Sequence, residues 1–486
     1  MKKVLVLGAS GYIGSQLLPQ LLEQGHQVTA AARHLDYLTA RVEPHPNLKL
    51  IYLDLSIKSA TLAAVKDFDL VYFLVHGMAQ GHDFIHYEAN IALNLKQALI
   101  NSQIKHVIYL SAIQPDTGHS QHLAARKLTG EIIRKSGIPI TELRAGIVIG
   151  PGSAAFEIMR DFVYNLPILI TPKWVDRKAN PIALLNLNYY LLKLAEEDPS
   201  QSSIYEVGGP NILSYREQFE IICQSTNRPF RLYSTPLLTP KMASYWLGLV
   251  TSVPSNIGKA LLAGLEHDYI ADSKPIESRF PQSLIPYKQA VANTIENEGT
   301  FVRSHVWGFE QAALKRWQPG YGYFPKQAEA SCYTQASADS LWQVAQKVGS
   351  KEEGYFFANI LWRTREWLDV LFGGKKPVRK TPVGPELKVG DFIDSWKVIR
   401  CEKNTHLSLL FGMKGPGLGR LDLSIEDENN RRKLTITAWW HPQGPLGLMY
   451  WFAMMPAHLF IFKGMVKAIA KEALHNQGLV NTRFRQ

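Results

Sequence analysis

The chain predicts a Rossmann-type, doubly wound parallel α/β sheet, followed by a separate α+β domain. Three observations predict this. Residues 4–7 (VLVL) form an apolar run of strand length that breaks on Gly8-Ala9-Ser10-Gly11-Tyr12-Ile13-Gly14, after which Leu17, Leu18, Leu21 and Leu22 recur at helical spacing. Short apolar runs then alternate with helical stretches as far as residue 153, the order that folds into a parallel sheet with right-handed crossovers. Beyond residue 390 the pattern becomes alternation, as in Leu421, Leu423 and Ile425 or Leu434, Ile436, Ala438 and Trp440, which belongs to antiparallel strands with one buried face.

Bulk properties narrow the class. At 486 residues the chain exceeds what one core serves, and 46% hydrophobic with 20% charged residues excludes a disordered chain. A net charge of +11 favours anionic partners such as phosphorylated cofactors or lipid surfaces. No interleaving of basic and aromatic residues accompanies it, so no nucleic-acid partner is expected. Cys223, Cys332 and Cys401 are far apart and form no C-x-x-C, which fits a reducing, cytoplasmic setting and offers no metal site. Lys2 and Lys3 precede only a first strand, so no secretory signal is expected.

The glycine turn carries the first chemistry. A strand that turns on glycines into a helix makes a pyrophosphate site. Gly8 allows the tight turn, Gly11 lets the backbone approach the phosphates, and Gly14 lets helix and strand pack closely. Ser10, Tyr12 and Ile13 lie in the same turn and are assigned to the cofactor with it. Residues 27–32 (QVTAAA) form the second strand and end at Arg33. A basic residue there pairs with a 2′-phosphate, where an acidic one would take the ribose of NAD, so NADP(H) is the preferred cofactor and NAD(H) the second choice.

Residues 48–53 form the third strand, followed by Asp54-Leu55; the acid either accepts from an adenine amino group or caps the next helix. Residues 70–75 (LVYFLV) form the fourth, with His76 at its carboxyl end, where ligands sit in such sheets. A helix over 82–102, a fifth strand at 107–110 closed by Ser111, a helix over 123–136 and a strand at 140–143 complete the alternation.

The residues GASGYIG (8–14), Arg33, Asp54-Leu55, YLSAI (109–113) and LRAGIVIGPGS (143–153) resemble the atypical short-chain dehydrogenase/reductase superfamily, near its NmrA-like and epimerase/dehydratase-like groups. The resemblance extends through residues 172–187 and 205–220 and implies one NAD(P)-binding domain with a small substrate lobe over residues 1–300. It also implies a serine after the fifth strand and a Tyr-x-x-x-Lys on the next helix. Ser111 and Lys127 match, but Leu123 stands where the tyrosine should be. That tyrosine exchanges a proton with the substrate oxygen, and the lysine lowers its pKa. Two readings stay open. Either another group, His122 first among His119, His76 and Tyr87, or Lys127 alone carries the proton, or no hydride moves and the domain is a cofactor-responsive module.

Met242, Tyr245, Trp246 and Leu249 recur at helical spacing, as core or as a lipophilic substrate wall. Gly- and Pro-rich sequence at 318–332 marks a linker spanning 301–332, with the second domain at 333–475 and a flexible tail at 476–486. In the second domain, residues 360–374 read as an amphipathic helix with a glycine stop, and 392–400, 406–413, 419–426 and 433–440 as strands. Residues 445–462 lack Asp, Glu, Lys and Arg, and Lys463, Lys467 and Lys471 then form a stripe; this helix closes a core or lies on an anionic bilayer as a peripheral contact. Leu341-Trp342 and residues 354–374, 389–398, 411–425 and 439–462 resemble a domain of unknown function found fused to these dehydrogenases, which looks like a START-type helix-grip fold. The whole implies an oxidoreductase of the atypical short-chain reductase type acting on an apolar carbonyl or quinone-like substrate. Its rivals are a non-catalytic NADP(H) sensor and a lipid-binding protein with a vestigial Rossmann half.

Overall fold

The computed structural model describes residues 1–478 apart from 79–82, 116–119, 236–246, 299–305, 309, 351–352, 372–385, 413–414 and 429–430. His119, Met242, Tyr245, Trp246, the glycine stop near 374 and most of the expected tail lie outside the described residues. The chain divides into two compact units, Met1–Phe309 and Glu310–Gln486.

The first unit is built on seven parallel strands: β1 (Lys3–Leu7), β2 (Gln27–Ala32), β3 (Leu48–Tyr52), β4 (Leu70–Phe73), β5 (His106–Ala112), β6 (Ile140–Ala145) and β7 (Ser203–Val207). Their order is β7-β6-β5-β4-β1-β2-β3, so the chain reverses direction between β1 and β4, the place where such sheets bind ligands. Side chains alternate across β1 and both faces are covered. Val4 and Val6 pack with Leu17, Leu18 and Leu21 of α1 (Tyr12–Glu23), while Leu5 and Leu7 pack with Ile91, Leu95 and Leu99 of α4 (Phe84–Ile100). A continuous apolar run is therefore what this strand requires. Between them lie α2 (Leu35–Thr39) and α3 (Lys58–Ala64); α5 (Gln121–Arg134) follows β5. The lobe adds α6 (Ala154–Asn165), which packs against α8 (Tyr215–Thr226), itself started by a Ser214/Glu217 capping box, whereas α7 (Leu184–Glu196) lies beside α1 on the central sheet.

The second unit is a six-stranded antiparallel sheet on one long helix. Its strands are β8 (Lys326–Thr334), β9 (Phe392–Ile393), β10 (Trp396–Glu402), β11 (His406–Phe411), β12 (Gly417–Glu428) and β13 (Arg431–Pro442), ordered β8-β13-β12-β11-β10-β9. The helices α9 (Ala338–Ala345), α10 (Asn359–Leu371) and α11 (Gly444–Asn476) accompany them. Leu407, Leu409, Leu421, Leu423, Leu434 and Ile436 meet Phe462, Met465, Val466 and Ile469 of α11 in one core. Two expectations need correction. Residues 326–332, assigned to the linker, belong to β8, whose backbone groups pair with β13 from Lys326↔Trp440 to Thr334↔Arg432. The single strand expected at 392–400 is two strands, because Asp394 takes φ 53° and turns the chain between Ile393 and Trp396. Helix α11 runs 33 residues and contains Pro456.

Candidate active site

Gly8 adopts φ +86°, and a Cβ there would stand 3.0 Å from the Leu74 carbonyl carbon, so the turn passes tightly over the end of β4. The Gly11 N–H donates to the Gly8 carbonyl at 3.0 Å, and the Ala9 N–H to the Ala31 carbonyl at 3.2 Å. A Cβ on Gly14 would fall 2.6 Å from the Gly8 oxygen, so α1 lies as close to the turn as backbone permits. Gly11 is the N-cap of α1 and no side chain caps it, which leaves the positive end of the helix facing the turn. This cradle, sized to backbone, fits a dinucleotide pyrophosphate. Tyr12 supplies more than its place in the turn: its hydroxyl lies where a Cβ on Gly150 would be. Ile13 is half-buried beside it, and Arg41 donates to the Ser10 carbonyl and steadies the turn from α2's side.

Arg33 and Asp54 come together at the ends of β2 and β3. The Arg33 guanidinium carbon lies 5.5 Å from the centre of the Tyr87 ring, on α4. Burial raises the Tyr87 pKa, with Arg33 opposing and Asp54 adding to the rise, so the three share one local field. Asp54 Oδ1 accepts from the Ser56 N–H at 2.8 Å and the Ser56 hydroxyl at 2.7 Å, a turn that leads into α3. It does not cap α3, whose N-cap is Ile57 with no side-chain partner, so the expected capping role is not what holds it. Leu55 is buried and its carbonyl accepts from Asn94 Nδ2 at 2.9 Å.

At the other end, His76, Ser111 and His122 gather around a residue that sequence reasoning missed. Arg126, on the inner face of α5, is 5% exposed and faces Glu88, on α4 and 1% exposed, at 3.6 Å. Its Nη1 donates to the Val75 carbonyl at 2.8 Å and its Nη2 to the Leu110 carbonyl at 2.5 Å. Glu88 Oε1 accepts the Gly77 N–H at 2.6 Å, and the Tyr109 hydroxyl donates to the Arg126 carbonyl at 3.0 Å. One buried ion pair therefore fixes the backbone on both sides of His76 and the end of β5 beside Ser111. Ser111 is buried and does not start α5; Ser120 does, accepting from the Leu123 N–H.

His76, just past β4, lies near Arg126 and keeps part of its surface exposed. Desolvation, then the Arg126 charge, pushes its pKa down to about 4. The same causes, with His76 added, push half-buried His122 down to about 3. Both imidazoles are neutral near pH 7 and offer an N–H or a lone pair, not an acidic proton. Leu123 is buried. Lys127 is exposed and makes no hydrogen bond among the described residues, so Ser111 and Lys127 are not joined by a contact there. In the lobe, fully buried Arg160 pairs with Glu157 at 2.8 Å and with Glu298, while Asp161 accepts from the Ser252 N–H and hydroxyl; this cluster ties α6 to later segments.

Residues 8–161 match the NAD(P)H-binding family, and residues 326–465 match a family described as protein of unknown function, DUF2867. Over 236 residues, 48% of its length, the chain is 21% identical to the NADH-ubiquinone oxidoreductase 40 kDa subunit, mitochondrial, of Neurospora crassa. The match spans 62% of that subunit, less than two thirds of its length. In structure the chain is similar to the Bordetella bronchiseptica enzyme WbmG in complex with NAD and UDP, at 13% identity and a TM-score of 0.50, over 63% of this chain and 96% of that one. It is also similar to a Staphylococcus aureus nucleoside-diphosphate-sugar epimerase, at 14% identity and a TM-score of 0.49, over 60% and 99% of the two chains. The glycine cradle, the strand order and the family match together make the first unit an NAD(P)H-binding domain of Rossmann-type fold, followed by the region that matches DUF2867.

Proposed function

We propose that the first unit is an NADP(H)-dependent oxidoreductase that reduces a lipophilic, quinone-like carbonyl compound. The observation that carries the cofactor choice is Arg33, held at the end of β2 against Tyr87 with no acid in its place. Gly8, Gly11 and Gly14 would hold the pyrophosphate and Arg33 the 2′-phosphate, while Arg126 and Glu88 keep the His76 segment and the β5 end in position. The bound nicotinamide supplies a hydride.

The substrate class is read from what the described residues of the site lack. Leu123 has no proton to give, and the neutral His76 and His122 are poor acids. An aliphatic ketone would leave a strongly basic alkoxide. A quinone leaves a phenolate-like oxygen, whose conjugate acid has a pKa of about 10, as for tyrosine, and which needs only an N–H donor. The Neurospora relative is by name part of a ubiquinone oxidoreductase, which agrees with that class.

Titration with NADPH and NADH tests the cofactor. Arg33→Gln is expected to weaken NADPH by roughly 10- to 100-fold, the worth of a charge-assisted hydrogen bond, with NADH little changed. Tighter binding of NADH by the unaltered protein would refute the preference. NADPH oxidation with a short-chain ubiquinone, against an aliphatic ketone, tests the reaction. A second reading, a cofactor-binding module without turnover, is favoured by buried Leu123 and exposed Lys127. Tight NADPH binding with no oxidation by either acceptor would establish it.

A further inference from the structure

Helix α11 has two faces with different fates. Its inner face, including Trp451, Ile461, Phe462, Met465, Val466, Ile469 and Ala473, is core of the second unit. Its outer face is bare: Leu446, Met449, Leu459 and Phe460 are each more than half exposed, and Phe452 is partly so. Farther along, the same outer face carries exposed Lys463, Lys467 and Lys471. At helical spacing, residues 446, 449, 452, 459, 460, 463, 467 and 471 fall within about 80° of one line. The helix therefore shows solvent a single stripe, apolar in its first half and basic in its second. No Asp or Glu occurs from 444 to 471. In the same unit α10 exposes Ile360 and Trp367, each by more than half, and the Phe357 ring, just before α10, lies 5.2 Å from that of Phe460.

We propose that this stripe seats the second unit on an anionic bilayer surface, its apolar half in the headgroup–acyl boundary and its lysines at the phosphates. The charge pattern selects that occupant. A second copy packed antiparallel would lay lysines against Met449 and Leu446, and one packed parallel would oppose lysine to lysine. A bilayer offers apolar depth and negative charge side by side. The helix is long and apolar enough to span a membrane, but its inner face is committed to the sheet, so the folded unit lies on the surface. The inference stands apart from the cofactor chemistry.

Sedimentation of the full chain with sucrose-loaded vesicles tests it. Co-sedimentation is expected with phosphatidylglycerol–phosphatidylcholine vesicles, weaker with phosphatidylcholine alone, and falling as salt rises. Lys463→Gln/Lys467→Gln/Lys471→Gln should weaken it about a hundredfold, from roughly a fivefold contribution per lysine. Met449→Glu/Leu459→Glu, at exposed positions that leave the core intact, should abolish it while the melting temperature holds. No binding to anionic vesicles, or binding that neither variant weakens, overturns the proposal. So does a wild-type dimer that Met449→Glu/Leu459→Glu splits without any vesicle binding, since a second copy would then cover the stripe.

Discussion

Arg126 and Glu88 hold opposite charges away from water at the centre of the candidate site. Removing one partner leaves the other buried and uncompensated, so Arg126→Leu is expected to lower unfolding free energy by about 3–5 kcal/mol in denaturant titration. Adding Glu88→Leu should recover most of the loss. The single substitution also removes a positive charge beside His76 and His122, so both pKa values should climb from about 4 and about 3 in an NMR titration. Values that stay put would assign the depression to desolvation alone. The glycine turn was legible because its steric demands fall on consecutive residues. Arg126 was not, because an arginine on a helix reads as solvated until Glu88, on another helix, is placed against it. The burial rhythm of α5 held the missed signal: Arg126 occupies an inner position between Leu123 and Thr129.

Between elements, β5 and β6 are tied at their buried starts by His106, whose Nε2 lies 2.9 Å from the Thr141 hydroxyl. Burial, then the Lys2 charge, pushes the His106 pKa down to about 4, against 6.5 when unfolded. The unfolded chain thus takes up a proton that the folded sheet refuses. Stability from this group is full above pH 6.5 and is lost as pH falls toward 4, by about 3 kcal/mol. His76 and His122 act in the same direction. Melting temperature should therefore drop between those pH values, and His106→Asn should flatten the slope; an unchanged slope would put the acid sensitivity elsewhere. The parallel strands were legible as apolar runs because both of their faces are buried. Strand β8 was not: Ala328, Ala330 and Cys332 form only a weak inward face, and Pro319, Gly320 and Gly322 just before it signalled a loop. The Asp394 turn escaped notice because Asp-Ser is a weaker hairpin signal than Asn-Gly.

Over the whole molecule, each unit has its own core, one on both faces of a parallel sheet and one between a sheet and a helix. Scanning calorimetry should resolve two transitions. NADPH at about a hundred times its dissociation constant should stabilise the first unit alone, by about 2.7 kcal/mol. A single transition that shifts as one would show that the units unfold together. Their order along the chain also sets a timetable for synthesis. The first unit is made first and can fold while translation continues. In the second, β8 waits for β13, from residue 326 to residue 440, and the apolar side of the whole sheet waits for α11, made after every strand. During that interval the nascent chain carries a bare apolar sheet face, so chaperone demand should peak just before this helix emerges.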